Sequence, residues 1–161
     1  MKLSAQLQAQ GFALADVREE DYDDYYRVKE ACYRVYVDEY FGGWVEEVQR
    51  GMNATQFAQA RQCSCFQKIL LRGKTVGFFA FDEREDRIDG ITIQMLEQAR
   101  NHGLGSWYLE QITARGKPIE LKVFKSNPAQ QLYARFGFVT YEETDTHYLM
   151  RCEIGANMVR P

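Results

Sequence analysis

Ile91-Thr92-Ile93-Gln94-Met95-Leu96, followed after three residues by Arg100-Asn101-His102-Gly103-Leu104-Gly105-Ser106, decides the fold of this chain. The first run is apolar and reads as the end of a strand. The second is a glycine-rich turn. Gly103 and Gly105 lack Cβ, so the backbone can bend tightly and approach a ligand. Leu104, Trp107, Tyr108 and Ile112 recur at helical spacing, so a helix starts at the glycines. The unpaired N–H groups of a helix start point outward and favour an anion. That end contributes roughly 0.3–1 kcal/mol per exposed charge, which orients a phosphate better than it holds one.

Downstream, Ile119, Leu121 and Val123 alternate with Glu120, Lys122 and Phe124, as in a strand. Asn127-Pro128 opens a further helix, with an N-cap residue type before a proline at the first helical position. Ala129, Leu132, Tyr133 and Phe136 form its apolar stripe, and Gly137 closes it.

On these residues the chain resembles the GNAT superfamily of N-acyltransferases. Arg100-x-x-Gly103-x-Gly105 matches the superfamily's Gln/Arg-x-x-Gly-x-Gly/Ala acyl-CoA signature. Asn127-Pro128-Ala129-x-x-Leu132-Tyr133-x-Arg135-Phe136-Gly137-Phe138 is similar to its second hallmark, one helix and one strand further on. The resemblance covers residues 91–150 closely and is looser upstream. It implies a single domain over residues 1–161 with an α/β (α+β) fold, a mostly antiparallel mixed sheet of 6–7 strands flanked by about four helices. It also implies acetyl transfer from acetyl-CoA to an amine, in a small molecule or on a protein, by direct attack in a ternary complex. The alternative in a different class is a module that binds and senses acetyl-CoA without turnover.

The resemblance assigns roles residue by residue. The N–H groups from Asn101 through His102, Gly103, Leu104 and Gly105 to Ser106 would hold the pyrophosphate, and the Arg100 side chain would add a contact. Backbone groups of Met95 and Leu96 would align the pantetheine arm and the acyl carbonyl. Asn127 would lie beside the cofactor arm, and Tyr133 would be the general acid near the sulfur. Where relatives often have proline after this strand, the chain has Glu97. The base is left among Glu46, Glu47, Asp89 and His147. The acceptor wall would draw on Tyr33, Trp44, Glu46, Glu47 and His147. Here Trp44 is followed by Val45, where a similar bacterial subset more often has aspartate. By periodicity alone, Tyr133 is a packed helix residue, and Glu46 and Glu47 decorate a solvated helix.

The remaining elements read in order. Gly11 to Val17 is a first strand, and Tyr22, Tyr25, Tyr26, Lys29, Cys32, Tyr33 and Tyr36 mark a helix with a tyrosine-rich face. Val45, Val48 and Met52 restart a helix that Gly51 weakens. Cys65 to Leu71 and Thr75 to Phe81 flank a tight turn at Arg72-Gly73-Lys74, and Arg87 to Leu96 is the central strand. A final hairpin joins residues 138–143 to 147–154, and Gly155 to Pro161 form a frayed tail.

Composition bounds the function. The 161 residues suit one core. A net charge of −3 and a pI near 5.5 argue against nucleic acid as a partner. No run of about 18 apolar residues predicts a membrane span. Cys32, Cys63, Cys65 and Cys152 lack zinc-site spacing, so no metal is expected, and free thiols suit a cytoplasmic setting. The lysine of a P-loop and the GxGxxG of a dinucleotide fold are both missing. Homodimerisation through sheet edges is the association mode that the resemblance implies.

Overall fold

The structure, a computed structural model, describes residues 1–153. In chain order the elements are α1 (Ala5–Ala9), β1 (Phe12–Asp16), α2 (Tyr22–Phe41), α3 (Glu46–Ala60), β2 (Cys65–Leu71), β3 (Lys74–Glu83), β4 (Ile88–Met95), α4 (Leu104–Thr113), β5 (Ile119–Phe124), α5 (Ala129–Arg135), β6 (Val139–Glu143) and β7 (His147–Cys152). The seven strands form one sheet in the order β1-β2-β3-β4-β5-β7-β6. The mixed α/β class and the mostly antiparallel sheet are as the sequence predicts. The residues fall into two compact units: Met1–Phe81 with Thr92–Leu104, and Asp82–Ile91 with the chain from Gly105 onward.

In the first unit β1 runs antiparallel to β2, from Phe12 opposite Leu71 to Asp16 opposite Gln67. β2 and β3 form the predicted hairpin, with a register shift between Ile69 and Leu70. The tyrosine-rich face of α2 is where the core sits. Tyr25 packs its ring 5.1 Å from Phe57, 5.8 Å from Phe66 and 5.4 Å from Phe78, with Val28 and Ala80 closing the cluster. Such ring pairs contribute about 0.5–1.5 kcal/mol each beyond the area they bury. Burial pushes the Tyr25 phenol up to about 12, against a lowering contact from Gln94. At the start of α2, burial alone would raise the Asp21 carboxyl. The Lys68 ammonium at 2.8 Å and the Arg18 N–H outweigh it and hold the group low.

In the second unit β4 meets β5 in parallel at Ile88 and Ile119. β5 pairs antiparallel with β7 from Ile119 opposite Cys152 to Phe124 opposite His147. β6 lies at the sheet edge, with all five residues exposed. α4 buries Leu104, Trp107, Tyr108 and Ile112, the periodic face read from sequence, together with Leu109.

One element goes beyond the sequence reading, and α3 forms where it was read. α1 is an additional helix: Ser4 Oγ accepts from Leu7 N, and Leu3 and Leu7 are buried. α3 runs unbroken through Gly51, whose absent Cβ would meet nothing within 4 Å. An open surface position gives glycine no steric reason to stop a helix; only its entropy, about 1 kcal/mol, opposes it. Ile154 and the predicted frayed tail lie outside the described residues.

Candidate functional site

β4 ends at Met95, and Leu96 N donates to Val76 O at 2.8 Å, tying the strand end to β3. A single 3₁₀ turn over Glu97–Ala99 then carries the chain into Arg100. Asn101 at φ +62° and Gly103 at φ +89° both take the left-handed conformation. A side chain at Gly103 would have open space, so its requirement is conformational. α4 starts at Leu104, leaving its first N–H groups without partners in the helix.

The Arg100 side chain turns back, and its Nε donates to Met95 O at 2.9 Å. Cys32 Sγ donates to the same carbonyl at 3.4 Å. Burial raises the Tyr36 phenol and the Cys32 thiol, and the Arg100 charge opposes both shifts. His102 is likewise used internally. Its Nδ1 is hydrogen-bonded to Gln10 Oε1 at 3.0 Å, and its ring meets Phe12 edge-on at 5.3 Å. An anion at this turn would meet its backbone N–H groups, and the bond to Met95 O uses only one of the three Arg100 nitrogens.

A second cluster joins α2 to the start of α3. Trp44 N donates to Asp38 Oδ1 at 3.0 Å. The Trp44 indole Nε1 lies 3.3 Å from both Tyr26 Oη and Glu46 Oε2. Arg50 Nε donates to Glu46 Oε1 at 2.9 Å, and the guanidinium lies 4.4 Å over the Tyr26 ring. The Tyr26 phenol, Trp44 and Arg50 together hold the exposed Glu46 carboxyl below its usual range. Glu47 is exposed and carries no ion pair among the described residues. Tyr33 stacks beneath Lys29 Nζ at 4.5 Å and meets the Tyr36 ring at 6.1 Å.

The second unit holds the other candidates. Asn127 Oδ1 accepts from Ala129 N at 2.9 Å at the start of α5, where Pro128 holds the N-cap position that the sequence reading gave to Asn127. Tyr133 is 8% exposed and packs against Phe138 at 5.8 Å. Its hydroxyl has no hydrogen-bond partner among the described residues. Burial pushes it up to about 12, so it stays protonated. His147 is hydrogen-bonded through Nδ1 to Thr146 Oγ1 at 2.7 Å and lies 4.1 Å from the Phe124 ring. Burial, then the Lys122 charge, lowers its pKa below 6.5. Asp89 Oδ2 is held by Arg84 Nε at 2.8 Å and Arg87 Nε at 3.2 Å.

The structure thus brings Met95 together with Arg100, and Trp44 together with Glu46. Tyr26, Arg50, Cys32 and Tyr36 join them; the sequence reading placed Tyr26, Cys32 and Tyr36 on the tyrosine-rich helix face and gave Arg50 no role. Glu46 and Arg50 carry a signal, the i, i+4 ion-pair spacing on a helix. So do Cys32 and Tyr36, which share one helix face. Nothing local marks Tyr26 for this cluster, because its partners there, Trp44 and Arg50, are 18 or more residues away. Among the described residues no group is arranged to hold a metal, and no helix is long and apolar enough to cross a membrane.

The sequence profile described as "Acetyltransferase (GNAT) family" matches residues 18–138. None of the curated proteins matches the chain. Among solved structures, the PaiA N-acetyltransferase of Thermoplasma acidophilum in complex with coenzyme A superposes with a TM-score of 0.67 at 12% identity, over 88% of this chain and 98% of that one. The ribosomal-protein-S18-alanine N-acetyltransferase of Escherichia coli gives 0.60 at 20% identity, over 92% and 99%. Arabidopsis thaliana Naa50 with a bisubstrate analogue, CoA-Ac-MVNAL, gives 0.58 at 17% identity, over 88% and 97%. At these identities the likeness is one of fold.

Proposed function

The chain belongs to the acetyltransferase (GNAT) family, and on that premise we propose that it transfers an acetyl group from acetyl-CoA to a primary amine by direct attack in a ternary complex. The observation that carries this reading is the Arg100–Ser106 turn. Two left-handed residues there deliver the chain to the unpartnered start of α4, directly after the strand end whose last carbonyl Arg100 holds. That is a cradle for a pyrophosphate beside a strand edge. The relatives solved with coenzyme A and with a CoA–peptide conjugate support a thioester donor on this fold.

The roles follow from the environments. Glu46, kept ionised and set with Trp44 and Tyr26, attracts the acceptor as an ammonium, with Tyr33 and Glu47 on the same approach. An alkyl ammonium has a pKa near 10.4, so at pH 7.4 roughly one molecule in a thousand is neutral and able to attack. We assign proton acceptance to His147, whose lowered pKa keeps the imidazole neutral at pH 7. Asp89 is committed to Arg84 and Arg87, and we give it a structural role. Tyr133 donates a hydrogen bond to the departing thiolate. A phenol near 12 facing a thiolate near 8.5 makes full proton transfer uphill by about 5 kcal/mol, so donation without transfer is the stabilising interaction. Two reactants held side by side supply much of the remaining acceleration.

The test is calorimetric titration of acetyl-CoA, with free adenine nucleotides as controls, followed by thioester turnover over a panel of amines. One-site binding that requires the pantetheine arm, with turnover, is expected. Binding without turnover on any amine would favour an acetyl-CoA sensor, and no binding by folded protein would overturn both.

A further inference from the structure

Outside these clusters, the tip of the β2–β3 hairpin and the first turns of α2 enclose a groove of about 610 Å³. Arg27, Arg72 and Lys74 line it, against one carboxylate, Asp24, and the amide of Gln98. A chain of net charge −3 thus gathers three cations around one cavity. Most arginines elsewhere are spent on ion pairs, as Arg84, Arg87, Arg115 and Arg151 are. Arg72, Lys74 and Gln98 make no side-chain hydrogen bond or ion pair among the described residues. Arg27 gives one nitrogen to Thr75 O at 3.0 Å, with Asp24 Oδ1 at 3.5 Å, and keeps its other donors.

The hairpin turn adds a second observation. Arg72 at φ +50° and Gly73 at φ +81° form the mirror-image turn that suits strand twist. Asparagine, aspartate or glycine is favoured at the first position, and an arginine there is held against its preference. The turn therefore presents a guanidinium to the groove where a smaller residue would serve the hairpin better.

We infer that this groove binds a phosphate monoester carried on a small molecule of about mononucleotide size. Two arginines and a lysine match the charge and donor needs of that group, the arginines through forked donors. The cavity falls within the range of small-molecule sites. Gln98 stands two residues ahead of the turn assigned to the pyrophosphate, so the phosphate has two sources. It is the 3′-phosphate of the bound acyl donor, in which case the inference rests on the acetyl-CoA reading, or it belongs to a separate ligand.

The experiment compares wild type with Arg72→Gly/Lys74→Gln by calorimetry, using acetyl-CoA, 3′-dephospho-acetyl-CoA and adenosine 5′-monophosphate. Glycine suits the left-handed position, so the variant keeps its hairpin. A loss of about tenfold or more is expected when the cations are removed. Loss with acetyl-CoA but not with its dephospho form identifies the 3′-phosphate. Loss with the mononucleotide, titrated into protein saturated with acetyl-CoA, identifies a separate ligand. Should acetyl-CoA fail to bind while the mononucleotide binds in a variant-sensitive way, the acyl-transfer reading falls and the groove stands. Equal binding of every probe by both proteins, or no binding of any, overturns the inference.

Discussion

Replacing Gly77, which has no role of its own in the site, by alanine should disable the site through the strand beside it. Gly77 lies in β3, and its conformation is one that alanine can adopt. A Cβ there would sit 2.3 Å from the Gln94 carbonyl oxygen, 2.8 Å from Ile69 Cδ1 and 3.3 Å from Met95 Cα. Ordinary contact begins near 3.4 Å, so β4 must retreat by roughly 1 Å, because a backbone carbonyl cannot rotate away as a side-chain tip can. Overpacking of this kind costs about 1–3 kcal/mol, and at this chain length each kcal/mol lowers Tm by about 2–4 °C. The retreat also moves Met95 O, the acceptor for Arg100 Nε and Cys32 Sγ, and so loosens the glycine turn. A misplacement of about 1 Å at a positioning element can cost about a hundredfold in kcat/KM. Urea unfolding reads the first effect, and initial rates together with acetyl-CoA calorimetry on the same preparation read the second. Gly103→Ala is the control: it meets no neighbour but must hold φ +89°, which costs about 1–2 kcal/mol through conformation alone. A Gly77→Ala protein with wild-type midpoint and wild-type acetyl-CoA affinity would refute the tight β3–β4 contact and the coupling built on it.

Three further substitutions test individual roles. Tyr133→Phe should lower kcat about 10–100-fold with little change in acetyl-CoA affinity; because the hydroxyl has no hydrogen-bond partner among the described residues, the midpoint of unfolding should hold. Glu46→Gln should raise KM for amines carrying a second positive charge several-fold, and change it little for singly charged ones, in initial-rate measurements. For His147 the sign runs through its lowered folded pKa. The imidazole is neutral above that value, so the acid limb of kcat/KM should fall below pH 6.5, and His147→Gln should abolish it. The unfolded chain takes up this proton at about 6.5. His147 should therefore reduce stability as pH falls through 6.5, levelling off below its folded value, and urea midpoints of the glutamine variant should be flatter over that range.

The strands, the glycine turn and the α2 core were legible because each is written in short-range periodicity. Tyr22, Tyr25 and Tyr26 repeat at helical spacing, and Tyr25 is indeed buried against three rings. Residues 119–124 alternate as read, with Ile119, Leu121 and Val123 buried. α1 was illegible because its five residues hold a single buried leucine, Leu7, with Leu3 ahead of the helix, too little to separate a helix from chance. The direction of side chains was illegible for a different reason. Arg100 and His102 stand in an anion-binding pattern, yet their partners are a strand carbonyl and a glutamine 92 positions away in sequence. Likewise Asp89 reads as an available carboxylate until two arginines are seen to hold it. Local pattern identifies the backbone device, whereas long-range pairing determines which side chains are left for chemistry.

Arg100 shows how the two levels meet. The motif admits arginine or glutamine at this position, which is puzzling if the residue serves as a cation for phosphate. The observed bond explains the choice. Nε is the fourth atom beyond Cα in arginine, and in glutamine the amide nitrogen occupies the same place in the chain. Either residue can donate to Met95 O and clamp the turn to the end of β4. Lysine places its nitrogen one atom further and cannot reproduce the geometry. Arg100→Gln should therefore retain most acetyl-CoA affinity, while Arg100→Lys and Arg100→Ala should lose about fivefold, the worth of one hydrogen bond near 1 kcal/mol. If lysine preserved affinity and glutamine lost it, charge rather than the carbonyl clamp would be the function of this residue.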